Sequence, residues 1–235
     1  MTDCGIIFVA TQHDRYVEEA VLAASSAKRY LPSLPITLFT DRAAPACACF
    51  DRVERIASAD VGDTRANAML DRFTGLARTP YDRSLYLDTE ALVVSRDAGG
   101  VFGALDTCDV ALVEDVPATS VALARTGRRM FNCGVILYRR DAAAAWQEPW
   151  RDAALRNLAL ARETPVPLIP EIAAVEDQAV RAWLLGLDKI ALLSVLPPDR
   201  PQSFACVHTL DHVWNHRGPV AGADVKIHHP HTRVG

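Results

Sequence analysis

The chain has 235 residues, of which 50% are hydrophobic and 23% are charged. This composition is typical of an ordinary globular domain and excludes a disordered, collagen-like or coiled-coil chain. The formal net charge is −4, from 25 basic and 29 acidic residues. Because the basic residues are spread along the sequence, a surface for non-specific nucleic-acid binding is not expected.

No targeting segment is recognisable in the sequence. The apolar run from Gly5 to Ala10 is too short for the core of a signal peptide and lacks a basic lead-in. No apolar stretch approaches the roughly 20 residues that span a membrane. We therefore expect a cytoplasmic protein whose six cysteines are reduced thiols. Cys47 and Cys49 form a close pair, but no second pair completes a zinc site, so they are interpreted as ordinary small side chains.

Short apolar segments alternate with amphipathic segments along the first half of the chain. Apolar runs rich in β-branched residues predict strands, and a 3.6-residue apolar period predicts helices. The predicted strands are 5–11, 36–39, 52–56 and 84–87, the last continuing through 92–94, and the predicted helices are 16–30 and 64–76.

The second half continues the alternation. Its predicted strands are 110–113, 133–138 and 190–193, with short edge strands at 204–207 and 225–228, and its predicted helices are 141–162, with a break near Pro149, and 176–185. This alternation favours an α/β fold with a mostly parallel central sheet flanked by helices. Such sheets bind ligands beyond the carboxyl ends of their strands, so the residues that follow each strand are the candidates for function.

Two carboxylates follow the strand at 84–87. Asp88 and Glu90 are one residue apart, so both side chains are predicted to point the same way. Carboxylates held this close repel one another unless a cation neutralises them, and a hard divalent ion fits that role. A solvated turn is the alternative interpretation. The segment from Thr11 to Asp14, after the first strand, contains neither a dinucleotide-binding glycine motif nor a P-loop.

Three more segments carry polar groups suited to a site. Phe131-Asn132-Cys133-Gly134 places an amide and a glycine at the start of a strand, where glycine permits close backbone approach. Glu176-Asp177-Gln178 opens a helix, and histidines lie at 228, 229 and 231. Each segment also has a plainer interpretation, as a turn, a helix cap and an exposed tail respectively.

The order of these motifs resembles the GT-A glycosyltransferases of glycosyltransferase family 8, the retaining enzymes that include glycogenins and bacterial galactosyltransferases. The resemblance runs from Ile6 to His228. The family's F-N-x-G and D-Q motifs are matched at 131–134 and 177–178, the D-x-D motif has a glutamate in its second place, and the late Lys-Pro-Trp is missing. The resemblance implies one GT-A domain over 1–235, with a nucleotide-binding half at about 1–95 and a sugar- and acceptor-binding half at about 96–235.

The resemblance also implies a role for each matched residue. Asp88, Glu90 and His228 are expected to bind Mn²⁺ or Mg²⁺. Thr11, Tyr16, Arg72 and Asp88 are expected to contact the nucleotide diphosphate, with Arg233 in place of the missing lysine. Asp115, Asn132, Asp177 and Gln178 are expected to form the catalytic and sugar-binding part of the site.

Together these roles predict a metal-dependent retaining glycosyltransferase that moves a hexose from a UDP-sugar to an acceptor sugar, small molecule or protein. A divalent ion would stabilise the negative charge that grows on the diphosphate leaving group. The altered D-x-D motif and the missing lysine leave open a non-catalytic nucleotide-sugar-binding protein of the same fold. A metallohydrolase built on His208, His212, His228 and His231 is a further alternative. A homodimer, formed through an exposed apolar face of a helix, is left open.

Overall fold

The computed structural model describes residues 3–62, 64–114, 131–143, 147, 151, 207–216 and 224–229. Its strands are β1 (Cys4–Ala10), β2 (Ile36–Thr40), β3 (Arg52–Arg55), β4 (Arg83–Leu87), β5 (Leu92–Val93), β6 (Val110–Glu114), β7 (Phe131–Arg139), β8 (Val207–Leu210) and β9 (Ile227–His228). Its α-helices are α1 (Asp14–Tyr30) and α2 (Thr64–Ala77), and 3-10 helices cover Arg96–Asp106 and His212–Trp214. None of these described helices is both long and apolar enough to cross a bilayer.

Seven of the described strands form one sheet in the order β3-β2-β1-β4-β7-β6-β8. Neighbouring strands pair in parallel except at β7, which runs antiparallel to both β4 and β6. The mostly parallel sheet predicted from the sequence is therefore confirmed. Separately, β5 and β9 pair antiparallel in a two-stranded sheet.

The central strand β1 is buried on both faces, which is why its sequence is a continuous apolar run. Alternate side chains of a strand point to opposite faces. Ile6 and Phe8 join the apolar cluster that includes the buried face of α1. Ile7 and Val9 join a second cluster that includes the buried face of α2. The two helices therefore cover opposite faces of the sheet.

The connections around β1 position the site. Helix α1 leads from β1 to β2, whereas α2 leads from β3 back to β4, on the other side of β1. Right-handed crossovers in opposite directions place their helices on opposite faces. The carboxyl ends of β1 and β4 thus border the point where the strand order reverses, which is where open α/β sheets bind ligands.

Three details differ from the sequence prediction. Segment 92–94 does not extend β4, because the chain turns at Asp88, where the Ala91 N–H donates to the Asp88 carbonyl at 2.9 Å, and β5 then pairs with β9. Segment 96–106 is a 3-10 helix that the apolar pattern did not predict, and the strand expected at 204–207 is found at 207–210. The elements predicted at 176–185 and 190–193, and most of the helix predicted at 141–162, lie outside the described residues.

The cysteines also differ from expectation in part. Cys47 and Cys49 form a disulfide, where reduced thiols were expected. Their Cα atoms are 5.4 Å apart, a separation that a disulfide spans. Among the described residues, Cys4, Cys108 and Cys133 are not part of a disulfide.

The glycine at the start of β1 makes room for an aromatic ring. A Cβ added at Gly5 would overlap the buried ring of Tyr81, whose hydroxyl lies 2.8 Å from Thr37 Oγ1 on β2. We therefore expect Gly5→Ala to lower the free energy of unfolding by about 1–3 kcal/mol through overpacking, measured by urea denaturation. Gly103→Ala is the control, because a Cβ there meets nothing within 4 Å. Equal stability of the two variants would contradict this packing.

Candidate functional site

The ends of β1 and β4 bring two of the predicted segments together. The strands pair in parallel with Ile7 opposite Tyr86, so Thr11 and Asp88 follow the sheet at the same edge. Thr11 is buried, and its hydroxyl has no hydrogen-bond partner within the described part of the chain. Tyr16 is partly buried at the start of α1 and packs against the cluster on that face. These residues form the border of the candidate site nearest to β1.

Two donors hold the Asp88 carboxylate at this edge. Arg72 Nη2, from α2, lies 3.0 Å from Asp88 Oδ1, and the Tyr86 hydroxyl lies 2.6 Å from the same oxygen. The Arg72 guanidinium also lies over the Tyr86 ring, 5.2 Å from its centroid. Since the side chains of Arg72 and Asp88 are only 15% and 14% exposed, water screens their attraction weakly.

Burial and this ion pair set the charges of the groups. Burial opposes the charge of Arg72, but the Asp88 carboxylate, together with Tyr86 and Cys133, outweighs that effect and raises the pKa of the guanidinium above its ordinary value. Burial also raises the pKa of the Tyr86 hydroxyl well above its ordinary value, so the hydroxyl stays protonated and donates to Asp88. The remaining Arg72 donors, Nε and Nη1, are buried without a hydrogen-bond partner among the described residues.

His229 is the imidazole that lies beside both carboxylates. Its Nε2 is 3.0 Å from Glu90 Oε1 and 3.8 Å from Asp88 Oδ2. The His229 side chain is fully buried. Asp88 and Glu90 therefore converge on one imidazole nitrogen, as expected for two carboxylates on the same side of the chain.

The neighbouring His228 points elsewhere. It lies opposite Leu92 in the pairing of β5 and β9, and its ring centroid is 6.3 Å from that of His216. Burial lowers the pKa of the His228 imidazole below its ordinary value. Because successive side chains of a strand point to opposite faces, the two adjacent histidines face different surroundings. The imidazole beside Asp88 and Glu90 is thus that of His229, whereas His228, the residue expected from sequence as a third metal ligand, lies by His216.

Asn132 and Gly134 of β7 lie behind the His229 ring. Asn132 Oδ1 accepts hydrogen bonds from the Gly134 N–H at 2.7 Å and from Asn215 Nδ2 at 2.8 Å. Asn215 Oδ1 in turn lies 3.0 Å from His229 Nδ1. A Cβ at Gly134 would overlap the His229 ring, so the glycine of the F-N-C-G segment permits this close approach.

Of the remaining predicted site residues, the structure describes Asn132 only. Asn132, expected at the sugar, directs its oxygen to Asn215, while its Nδ2 is a buried donor without a partner among the described residues. The sequence-predicted residues Asp115, Asp177, Gln178 and Arg233 lie outside the described residues.

Helix α1 holds the turn that carries the carboxylates. The Thr89 hydroxyl, between Asp88 and Glu90, donates to Glu19 Oε2 at 3.1 Å. The Val93 N–H donates to Ser26 Oγ at 3.0 Å. Both ends of the segment from Thr89 to Val93 are thus bonded to the same helix.

The sequence analysis assigned no role to Tyr86 or Asn215, and it named His229 only as one of the three clustered histidines near the end of the chain. A signal existed for Tyr86, since it precedes Asp88 by two residues and so shares its face of the strand. No local signal existed for Asn215, because its contacts with β7 and His229 depend on chain segments far apart in sequence.

Of the four histidines in the histidine-based alternative, the side chains of His212 and His228 lie within the described part of the chain, and those of His208 and His231 do not. His212 is exposed, and His228 lies by His216. Within the described ranges, no three His, Cys, Asp or Glu side chains stand in an arrangement ready to hold a metal ion. In the group formed by Asp88, Glu90 and His229, the imidazole contacts Glu90 directly.

No protein-family model and no curated protein sequence matches the chain. Solved structures do match it. Mouse xyloside xylosyltransferase 1 superimposes with a TM-score of 0.59 at 15% identity, over 100% of this chain and 99% of its own. The glycosyltransferase GlyE of Streptococcus pneumoniae gives 0.60 at 16% identity, over 97% of this chain, which spans about half (54%) of GlyE.

The galactosyltransferase LgtC, solved in complex with donor and acceptor sugar analogues, gives a TM-score of 0.55 at 14% identity, over 97% of this chain and 87% of its own. All three similar structures are glycosyltransferases by name. The fold of this chain is therefore the GT-A glycosyltransferase fold that the resemblance implied.

The contact between Gly134 and His229 can be tested by a double-mutant cycle. We expect Gly134→Ala to lower the free energy of unfolding by about 1–3 kcal/mol, because the added methyl group meets the imidazole. The same change made in a His229→Ala background should cost less, since the ring is gone. Denaturation of the four proteins measures the coupling, and strictly additive costs would contradict the contact.

Proposed function

We propose that the chain is a metal-dependent retaining glycosyltransferase that transfers a hexose from a UDP-sugar to an acceptor sugar, small molecule or protein. The observation that carries the proposal is the convergence of Asp88, Glu90 and His229 beside the cation Arg72. This group lies at the carboxyl edge of a sheet with the GT-A fold.

The chemistry of the donor set fits a divalent ion. Two carboxylates and one imidazole nitrogen suit Mn²⁺, which accepts mixed oxygen and nitrogen ligands. Adjacent ligands about 2.1 Å from an ion lie about 3 Å apart. The distances from His229 Nε2 to Glu90 Oε1 and Asp88 Oδ2, 3.0 and 3.8 Å, are close to that separation. Small side-chain shifts would therefore let the three groups share one ion.

The residues around this group have roles in binding the donor. A bound ion would stabilise the charge that develops on the diphosphate leaving group. Arg72 fixes Asp88 through Nη2 and offers its buried Nε and Nη1 to a diphosphate oxygen. Asn132 Nδ2 is a buried donor for the sugar. By resemblance, Thr11, Tyr16 and Arg233 complete the nucleotide contacts, and Asp115, Asp177 and Gln178 complete the sugar pocket.

The first test is the binding of UDP with and without Mn²⁺, measured by calorimetry. We expect Mn²⁺-dependent binding that weakens at least about tenfold in Asp88→Asn, because that change removes a charge from the proposed ligand set. The amide still accepts hydrogen bonds from Arg72 and Tyr86, so the surroundings are kept. Asp106→Asn, at an exposed ion pair with Arg83, is the control for loss of a carboxylate elsewhere. UDP binding by Asp88→Asn equal to that of the unmodified chain would contradict the proposal.

A second test separates the two adjacent histidines. Since His229 and not His228 faces the carboxylates, His229→Ala should weaken Mn²⁺-dependent UDP binding at least about tenfold more than His228→Ala does. The expectation from sequence predicts the opposite order. Calorimetric titration of both variants, with their folding checked by circular dichroism, decides between the two histidines.

One observation favours a second candidate, a nucleotide-sugar-binding protein without transferase activity. Glu90, longer than the aspartate of the D-x-D motif by one methylene, reaches His229 directly. That contact places the Glu90 carboxylate directly against the imidazole nitrogen that a metal would need. Binding of UDP without hydrolysis or transfer of any UDP-sugar would support this candidate over the enzyme.

A further inference from the structure

A chain of hydrogen bonds links the backbone of β7 to the His229 ring. It runs from the Gly134 N–H to Asn132 Oδ1, from Asn132 Oδ1 to Asn215 Nδ2, and from Asn215 Oδ1 to His229 Nδ1, with distances of 2.7, 2.8 and 3.0 Å. Asn132, Asn215 and His229 are 2%, 5% and 0% exposed. Water therefore competes little for these bonds, and each group depends on its neighbour.

The donor and the acceptor of each of these hydrogen bonds follow from the Gly134 N–H. A backbone N–H can only donate, so the Asn132 atom facing Gly134 is the oxygen. The Asn215 atom that meets this oxygen must then be the amide nitrogen, which leaves the Asn215 oxygen facing His229. An oxygen of an amide can only accept, so His229 Nδ1 carries the proton and donates it.

In the neutral ring, these hydrogen bonds leave the nitrogen that faces the carboxylates without a proton, so that it can bind a metal ion. With its proton on Nδ1, the neutral ring has its lone pair on Nε2, the atom 3.0 Å from Glu90 Oε1. Glu90 alone would favour the other tautomer, because a proton on Nε2 could be donated to its carboxylate. Asn215 opposes that tautomer, because its oxygen accepts a hydrogen bond from a protonated Nδ1.

We propose that Asn215 is a positioning residue that holds the His229 ring so that the lone pair of Nε2 is directed at the metal position. The proposal rests on the proposed function, since it concerns the same site. Asn132 acts one step further back, because it fixes which end of the Asn215 amide meets the ring. Partners of this kind, behind a ligating histidine, set both its tautomer and its orientation.

The backbone around Asn215 is built to hold this amide in place. The Asn215 N–H donates to the His212 carbonyl at 3.1 Å, at the end of the 3-10 helix. The next residue, His216, donates to the Ile227 carbonyl at 2.9 Å and accepts from the His229 N–H at 2.8 Å. The segment that carries Asn215 and the segment that carries His229 are therefore bonded to each other directly.

The test compares Asn215→Leu with the unmodified chain. Leucine has a similar size but neither accepts nor donates a hydrogen bond, so the packing is largely kept. We expect Mn²⁺ affinity in the presence of UDP, measured by electron paramagnetic resonance, to fall about 10–100-fold. Asn67→Leu is the matched control, since Asn67 is also a buried amide but bonds to the Val61 N–H, and its Mn²⁺ affinity should not change.

Nitrogen NMR of the histidines supplies a readout that a purely structural role would not move. In the unmodified protein loaded with Mg²⁺ and UDP, His229 should carry its proton on Nδ1, and Asn215→Leu should lose that protected proton. A proton on Nε2 in the unmodified protein would overturn the inference, even if the variant failed to fold. Equal Mn²⁺ affinity of the variant and the unmodified chain would overturn it and leave the proposed function intact. Failure of the unmodified chain to bind Mn²⁺ would overturn the proposed metal centre and this inference with it.

Discussion

The candidate site depends on a buried ion pair between Arg72 and Asp88. Removing two charges from water carries a desolvation cost that their attraction often fails to recover, so a buried pair is weak evidence for stability. Here the pair joins α2 to the end of β4, and Tyr86 adds a hydrogen bond to the same carboxylate oxygen. One oxygen of Asp88 is thereby committed to the protein, and the other is directed toward His229. The ion pair, with its desolvation cost, lies at the edge of the sheet where the strand order reverses and a ligand-binding crevice is expected.

Much of the fold could be predicted from the sequence because its elements are marked locally. The buried run of β1 and the apolar period of α1 predict both elements, and the alternation of strands and helices predicts the mostly parallel sheet. The pairing of β5 with β9 could not be predicted in this way. Two-residue strands carry no periodic signal, and their partners are separated by more than a hundred residues of chain.

The candidate site likewise contains residues that the local sequence predicts and residues whose placement depends on distant strand pairing. Asp88 and Glu90 were predicted from their place after a strand and Arg72 from the family resemblance, and the structure brings them together with the edge of β1. The choice between His228 and His229 could not be made locally, because it depends on the register in which β9 meets β5. A shift of one residue in a strand exchanges its two faces. The sequence alone therefore does not decide which of two neighbouring histidines faces a site beside a strand.

The bonds from α1 to the turn at Thr89 have a consequence for how a ligand meets this site. Glu19 and Ser26 are seven residues apart, or about 10 Å along the helix, and they hold Thr89 and Val93 respectively. A loop bonded to a helix at both ends has little conformational freedom left to lose. The entropy of ordering the carboxylates is therefore lost when the chain folds and not when a ligand arrives, which favours tighter binding for the same contacts. The carboxylate turn is in this sense a preorganised receptor, and any large motion that accompanies binding must arise in other parts of the chain.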